Sequence, residues 1–432
     1  MTMTDSRSLD RLLSRKALVL ATITALGLTG HASAETSPWY LGVSQSFGYE
    51  SNLYRIADDQ RLPDGQSRSD TISVTSLIGG IDQPIGRQRV YGDVNVSANR
   101  FANNDYLNNE SYGLKLALDW ETQERLWGTF RVSADQALTQ FNNLNGATGR
   151  VETQKNISNT ERADAIFRLG RNTKLSFEAG LGYRQRSYSA TEYEGDEFQE
   201  TTGALGVRYR PSAALDLGAR LRQSVAEYPQ FRRTGIDTYE SDTLNRRYID
   251  FTANWVPNAL SQVNLRVSPT RIWYDENSVG DFSGLTGSVD WIWQATGKTR
   301  LHTVLWRDAG QSADAVTLGI YGPGVNDTST VTTALQVRAD QELTGKVSVY
   351  ASLTYAYRLL DQAVTSLPLG TLSVQEGNDK TTSAALGVRW AVTRSGLLGC
   401  DIRNERRSSS NLFLSVPFDG YGYSCYGQIT LQ

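Results

Sequence analysis

Thirty-six of the 43 basic side chains in this 432-residue chain are arginines and only seven are lysines. A guanidinium stays charged at physiological pH, offers a flat fork to carboxylates and phosphates, and stacks on rings, so the bias suits a surface that handles anions. Many of these arginines share a two-residue spacing with other polar groups. They include Arg131, Arg162 with Asp164 and Arg168, Arg184 with Arg186, Arg208, Arg220 with Arg222, Arg338 and Arg403; Asp93 and Asp250 fall on the same spacing. Two compatible arrangements fit: a guanidinium track along which an anion passes, or arginines paired with neighbouring Asp and Glu into a transverse field. Arg232, Arg233, Arg246 and Arg247 bracket one stretch that would form a charged constriction if it folded inward.

Other chemistry is sparse. Beyond residue 34 the only histidine is His302, which rules out a two-histidine metal site, and no G-x-S-x-G, Gly-rich phosphate loop, EF-hand loop or Cys-x-x-Cys occurs. The expectation is therefore no enzyme, no cofactor, no metal and no catalytic residue, with His302 as a polar wall residue. Cys400 and Cys425 stand on the last two arms of the pattern described next, where register sets Cys400 opposite Cys425 or Tyr426. A cross-strand disulfide in an oxidising compartment is predicted; the alternative is two reduced thiols buried as small hydrophobes.

The elements that must position these residues show best in Tyr112 to Ala134. Tyr112, Leu114, Leu116, Leu118 and Trp120 alternate with small or charged residues, and after a polar turn Leu126, Phe130 and Val132 alternate with Trp127, Thr129 and Arg131. Period two over about ten residues describes a β-hairpin between two environments. The pattern recurs to the last residue in about eighteen arms. Short connections rich in Gly, Pro and Asn follow every even arm, and long ones, including 227–246, 309–329 and 359–379, follow every odd arm. Sandwiches do not sort loops by parity. Outer-membrane barrels do, with short periplasmic turns and long outer loops. The fold class predicted is all-β: a transmembrane antiparallel up-and-down barrel of about 18 strands, apolar parity to lipid and arginine-rich parity to a wet lumen.

Residues 1–34 read as a cleaved secretory signal peptide, with Arg11, Arg15 and Lys16 before an apolar segment and a small-x-small site at His31 to Ala34; 35–432 form a single barrel domain. A membrane anchor is the alternative, disfavoured by the segment's shortness. Losing that segment takes the net charge from −3 to about −5, which leaves no footprint for nucleic acid. The long connections carry many rings, among them Tyr54, Tyr106, Phe141, Phe198, Tyr228, Phe231, Tyr274, Tyr321 and Phe413. Such rings either pack the connections onto the barrel or inward as a plug, or stack on sugars.

The segment Phe47 to Arg55, FGYESNLYR, resembles the Y-x-D-N-L-F/Y-R signature of EpsL-type outer-membrane proteins, barrel porins of exopolysaccharide loci. Tyr49, Asn52, Leu53, Tyr54 and Arg55 match, and Ser51 stands where that pattern has Asp. The resemblance implies a loop-gated conduit that exports a secreted polysaccharide, with the polymer, outer-membrane lipid and lipopolysaccharide, and periplasmic polysaccharide-export proteins as partners. An Arg-rich lumen suits an anionic polymer. An uptake porin for small anions or oligosaccharides shares the same fold and is the alternative; a surface enzyme or adhesin on a barrel is a third reading, which the missing catalytic constellation disfavours.

Overall fold

Period-two alternation becomes strand wherever one parity is apolar, because only a strand sends alternate side chains to opposite faces. The computed structural model describes residues 37–122, 125–141, 151–170, 173–235, 238–276, 281–317, 323–366 and 370–432. The segment 1–34 read as a signal peptide, and Tyr321, lie outside these residues. The strands are β1 (Trp39–Glu50), β2 (Asp70–Ile85), β3 (Gln88–Phe101), β4 (Asn109–Glu121), β5 (Leu126–Leu138), β6 (Ile157–Leu169), β7 (Leu175–Tyr188), β8 (Phe198–Ser212) and β9 (Leu215–Gly235). They continue with β10 (Thr238–Asn258), β11 (Ser261–Tyr274), β12 (Phe282–Gln294), β13 (Thr299–Thr317), β14 (Pro323–Glu342), β15 (Val347–Ser366), β16 (Gly370–Ala391), β17 (Gly396–Ser409) and β18 (Phe418–Leu431). Each pairs antiparallel with the next, and β1 pairs with β18, from Leu41 opposite Leu431 to Glu50 opposite Gly422.

A closed sheet has no edge, so every backbone polar group of the wall is satisfied within it, as a hydrocarbon environment demands. The outer parity is apolar all the way round, with Val43, Leu77, Leu114, Phe177, Leu205, Leu221, Phe251, Leu353, Leu386 and Ile429 all exposed. Water would not tolerate a continuous belt of that kind. The chain is an eighteen-stranded barrel of the bacterial outer membrane. Short turns close one end. Gly86 and Gly170 take left-handed backbone there, with φ of +63° and +100°, a conformation tight turns require and side-chain-bearing residues resist.

The outer end departs from expectation. The stretches 227–246, 309–329 and 359–379, expected as loops, are largely strand: β9 and β10, β13 and β14, and β15 and β16 run on as ladders beyond the belt. Above the bilayer both faces of a hairpin meet water or protein, so nothing imposes alternation, and the ladder persists without its sequence signature. One extension does not stay upright. β12 and β13 pair only from Gln294 opposite Arg300 to Gly287 opposite Arg307. Beyond Arg307, β13 continues to Thr317 paired with β14 alone, and its backbone comes within 8 Å of β9 and of a short 3-10 segment, Thr191–Asp196. The start of this ribbon leans inward over the β7 to β11 side of the mouth, where Ala309 packs against the cluster of Phe198, Tyr228, Leu244 and Ile272.

Candidate functional site

The strands β6 to β11 turn their even-numbered residues into the lumen, opposite the exposed Leu181, Leu205, Leu221 and Phe251. The result is a ladder of guanidiniums and carboxylates. Nearest the short turns, Arg168 Nε lies 2.8 Å from Glu178 with its guanidinium 4.5 Å above the Trp127 ring. Glu178 also faces Arg220 at 3.4 Å and Arg208 at 3.7 Å, while Asp216 accepts from Arg208 at 3.0 Å and Arg210 at 2.7 Å. At the next level Asp250 has no exposed surface. It accepts from Arg220 Nη2 at 3.0 Å, Arg222 Nε at 3.1 Å and Ser268 Oγ at 2.7 Å, with Arg266 at 4.0 Å. Above it Glu200 accepts from Arg246 at 2.6 Å and faces Arg184 at 3.9 Å. Rings brace the guanidiniums: Arg222 lies 3.8 Å from the Tyr248 centroid, and Arg184 and Arg186 lie 4.9 and 5.8 Å from that of Phe198.

Glu178, Asp216, Asp250 and Glu200 are therefore each shared by at least two arginines, which leaves positive charge over. That surplus borders a cavity of about 580 Å³ lined by Arg131, Arg162, Arg184, Arg220, Arg222, Arg246 and Arg266, against Asp164, Glu200 and Asp308. Counting Asp250 and Glu178 behind this lining, arginines still outnumber carboxylates by two. At an effective dielectric of about 20, two unit charges 4 Å apart interact by roughly 4 kcal/mol, so an entering anion meets a substantial field. Arg131, directly opposite Asp164 in register, is exposed to the lumen and free of ion pairs among the described residues.

On the other wall the ion pairs join single partners. Arg338 binds Asp340 at 2.8 Å and stacks 4.1 Å from Tyr350. Arg358 binds the fully buried Asp379 at 2.6 Å, which also accepts from Ser415, and Arg403 binds Glu50. Asp93 is exposed on β3, opposite Lys115 in register. His302 faces Asp290 at 3.2 Å.

The FGYESNLYR segment runs from the outer wall into the mouth. Tyr49 is on the outside of β1, its ring 5.3 Å from Tyr423. Ser51 takes up the neighbouring strand: its N–H donates to the Tyr421 carbonyl and its hydroxyl accepts the Tyr421 N–H at 2.8 Å, the acceptor role open to an Asp there. Asn52 needs an amide, since its Oδ1 accepts the Ile56 N–H while its Nδ2 donates to the Ile56 and Asp419 carbonyls. This clamp holds Arg55 in left-handed backbone, with φ of +53°. Arg55 then reaches across to Glu405 at 2.8 Å and to the Phe141 carbonyl at 3.2 Å.

Tyr54 and Ile56 are completely buried with Leu107, Phe101 and Phe141, and Leu53 packs against them. The Tyr54 hydroxyl lies 2.8 Å from Asn104 Oδ1 and 2.7 Å from the Tyr106 hydroxyl, which reaches the Thr153 carbonyl. Burial first, and then the bond to Tyr106, hold the Tyr54 hydroxyl far above the usual phenol range, so it stays neutral. Next to this cluster Arg61, Leu62 and Val151 share a small cavity with Glu192 of the 3-10 segment that meets β13.

The arginines read from the sequence thus divide. Arg131, Arg162, Arg184, Arg220 and Arg222 meet at one chamber, Arg168, Arg186 and Arg208 support it, and Arg338 and Arg403 belong to the far wall. The expected constriction by Arg232, Arg233, Arg246 and Arg247 is corrected by the hairpin that carries them. Arg246 points into the chamber and Arg247, one residue on, points out of the barrel, since neighbours on a strand face opposite ways; the side chains of Arg232 and Arg233 lie outside those described. The β13 ribbon and the 3-10 segment narrow the mouth instead. Most of the connection rings, Tyr54, Phe141, Phe198, Tyr228, Phe231 and Tyr274 among them, are buried as packing, whereas Phe413 is exposed.

Sequence reasoning passed over Glu200 and Arg266, although both have lumen parity. It also missed Asp70, fully buried, which accepts the backbone N–H groups of Ala102, Asn103 and Asn104 and so shapes the roof. Cys400 and Cys425 are direct partners on the outer face, their Cα atoms 4.0 Å apart and their sulfurs joined.

No protein-family model and no curated protein matches this sequence. Among solved structures, the chain is similar to the outer membrane protein OpdK of Pseudomonas aeruginosa, at 12% identity over 91% of this chain and 99% of that one, with a TM-score of 0.46. OccK3 (OpdO) of the same organism follows at 11% identity, 91% and 96% coverage and TM-score 0.46. The outer membrane channel DcaP of Acinetobacter baumannii gives 13%, 91%, 96% and 0.41. Identity this low transfers no substrate.

Proposed function

We propose that this barrel is a passive, roofed conduit through which an anionic exopolysaccharide leaves the periplasm. The observation that carries the reading is the surplus of guanidinium over carboxylate around the 580 Å³ chamber. A polymer passing such a wall trades one arginine for the next, and because Asp250 and Glu200 already hold several of them, no single site binds tightly enough to stall it. The resemblance of FGYESNLYR to EpsL-type proteins supports the polysaccharide and its outward direction. The segment's place in the roof supports a gate that keeps the periplasm sealed when no polymer is passing. Drive comes from polymer synthesis elsewhere, so the conduit needs no catalytic group; periplasmic export proteins are the partners this implies.

Uptake of a small sugar acid is the second reading, which the same surplus of guanidinium around the chamber would serve. Planar-bilayer recording separates the two. Under a salt gradient the reversal potential is expected to report anion preference, reduced by Arg131→Gln with Arg222→Gln. Polyuronate added on the periplasmic side should block the current at far lower residue concentration than the monomeric uronate. Cation preference overturns the anion conduit, and equal block by monomer and polymer favours uptake.

A further inference from the structure

On the outer face of the barrel, Arg247 of β10 and Arg271 of β11 are direct register partners. Two like charges opposed across neighbouring strands destabilise a sheet unless something neutralises them. Inside the lumen the comparable pair, Arg162 opposite Arg184, is answered by Asp164 and Glu200. Outside, no carboxylate among the described residues lies within ion-pair distance of Arg247 or Arg271. Arg247 donates only to the neutral Gln223, at 3.0 Å, and Asp275, further up this face, is bound by Asn245.

The two guanidiniums also share one ring. They lie 5.6 and 5.5 Å from the centroid of Trp273, which holds both in place without neutralising either. Their height is telling. Directly below, toward the bilayer, the same face presents the exposed Leu221, Ile249, Phe251 and Leu285, and above it Asn245, Ser283 and Asp275 bring polar groups. The pair therefore sits where the outer leaflet's acyl chains give way to head groups, at a Trp of the kind that marks such interfaces.

We infer that Arg247, Arg271 and Trp273 form a docking site for the phosphorylated head of an outer-leaflet glycolipid, lipopolysaccharide, with its acyl chains lying on Leu221, Ile249 and Leu285. The two forks bracket one phosphate, Trp273 lies beside the first sugar, and the apolar row below takes the lipid. The site is separate from the lumen and independent of what the lumen carries.

Native mass spectrometry of the detergent-purified full-length protein, titrated with purified lipopolysaccharide, tests this. The Arg247→Ala, Arg271→Ala double variant is expected to lose about a hundredfold in affinity, since each of the two charge-assisted bonds to an anion contributes about 1.5 kcal/mol. The lumen variant Arg131→Ala should bind like the unaltered protein, and folding of each variant is checked by heat-modifiable gel mobility. The unaltered protein titrated with lipopolysaccharide stripped of its lipid phosphates gives a second reading that needs no variant; it should show the same loss. Equal affinity of double variant and unaltered protein, or equal binding of intact and dephosphorylated lipid, would overturn the site.

Discussion

The two walls of the lumen are built from the same residue types and behave differently. On the β14 to β18 side, with β1, the ion pairs join single partners: Asp340 has Arg338, Asp379 has Arg358, Glu50 has Arg403 and Glu405 has Arg55. On the β6 to β11 side carboxylates are shared, three arginines reaching Glu178 and three reaching Asp250. On one wall the pairs stand apart, and two of them, Arg55 with Glu405 and Arg358 with Asp379 and Ser415, fasten the outer connections. The other keeps a positive surplus facing an open chamber. Composition does not decide which happens; the ratio of guanidinium to carboxylate within about 4 Å does.

The strongest perturbation of the singly paired side is Tyr54→Ala. It removes a completely buried ring packed 4.8 Å from Phe141, a loss of about 4 kcal/mol by comparison with other buried aromatics. That loss falls on the roof, so hydrogen exchange of residues 51–69 and 102–108 should accelerate and single-channel conductance should rise while the barrel stays folded. Unchanged conductance would mean that the roof does not gate.

On the shared side, Asp250→Ala leaves Arg222 without a carboxylate and Arg220 with Glu178 alone, and should cost about 3 kcal/mol in urea unfolding from vesicles. Separating Cys400 from Cys425 by Cys400→Ser is expected to cost about 2 kcal/mol in the same assay, less than a free chain would lose, because β17 and β18 are already laddered. The smallest effect belongs to Asp340→Ala, whose partly exposed pair with Arg338 contributes under about 1 kcal/mol. Should Asp340→Ala prove as damaging as Asp250→Ala, the distinction between the walls would be lost.

Raising salt from 0.1 to 1 M shortens the Debye length from about 10 to about 3 Å, so any anion preference arising from the chamber should fall across that range. In Arg222→Gln the residual preference should be weaker at every salt concentration, and in Arg338→Gln nearly unaltered.

What the sequence determined by itself is whatever the bilayer imposes. Lipid outside and water inside force alternation on every spanning strand, so the eighteen arms and their faces could be read from Leu114, Leu116 and Leu118 onward. Parity likewise assigned Arg220, Arg222 and Asp250 to the lumen. Tertiary structure decided what no period encodes. The β9–β10 and β13–β14 extensions stand above the membrane, where a strand's two faces meet similar surroundings, and there Arg246 and Arg247 looked alike until the ladder separated them. The sharing of Asp250, the inward lean of β13 and the meeting of Arg55 with Glu405, 350 residues away, depend on closure of the sheet. Contacts across a lumen follow from how a barrel closes and not from the spacing of residues along any one strand.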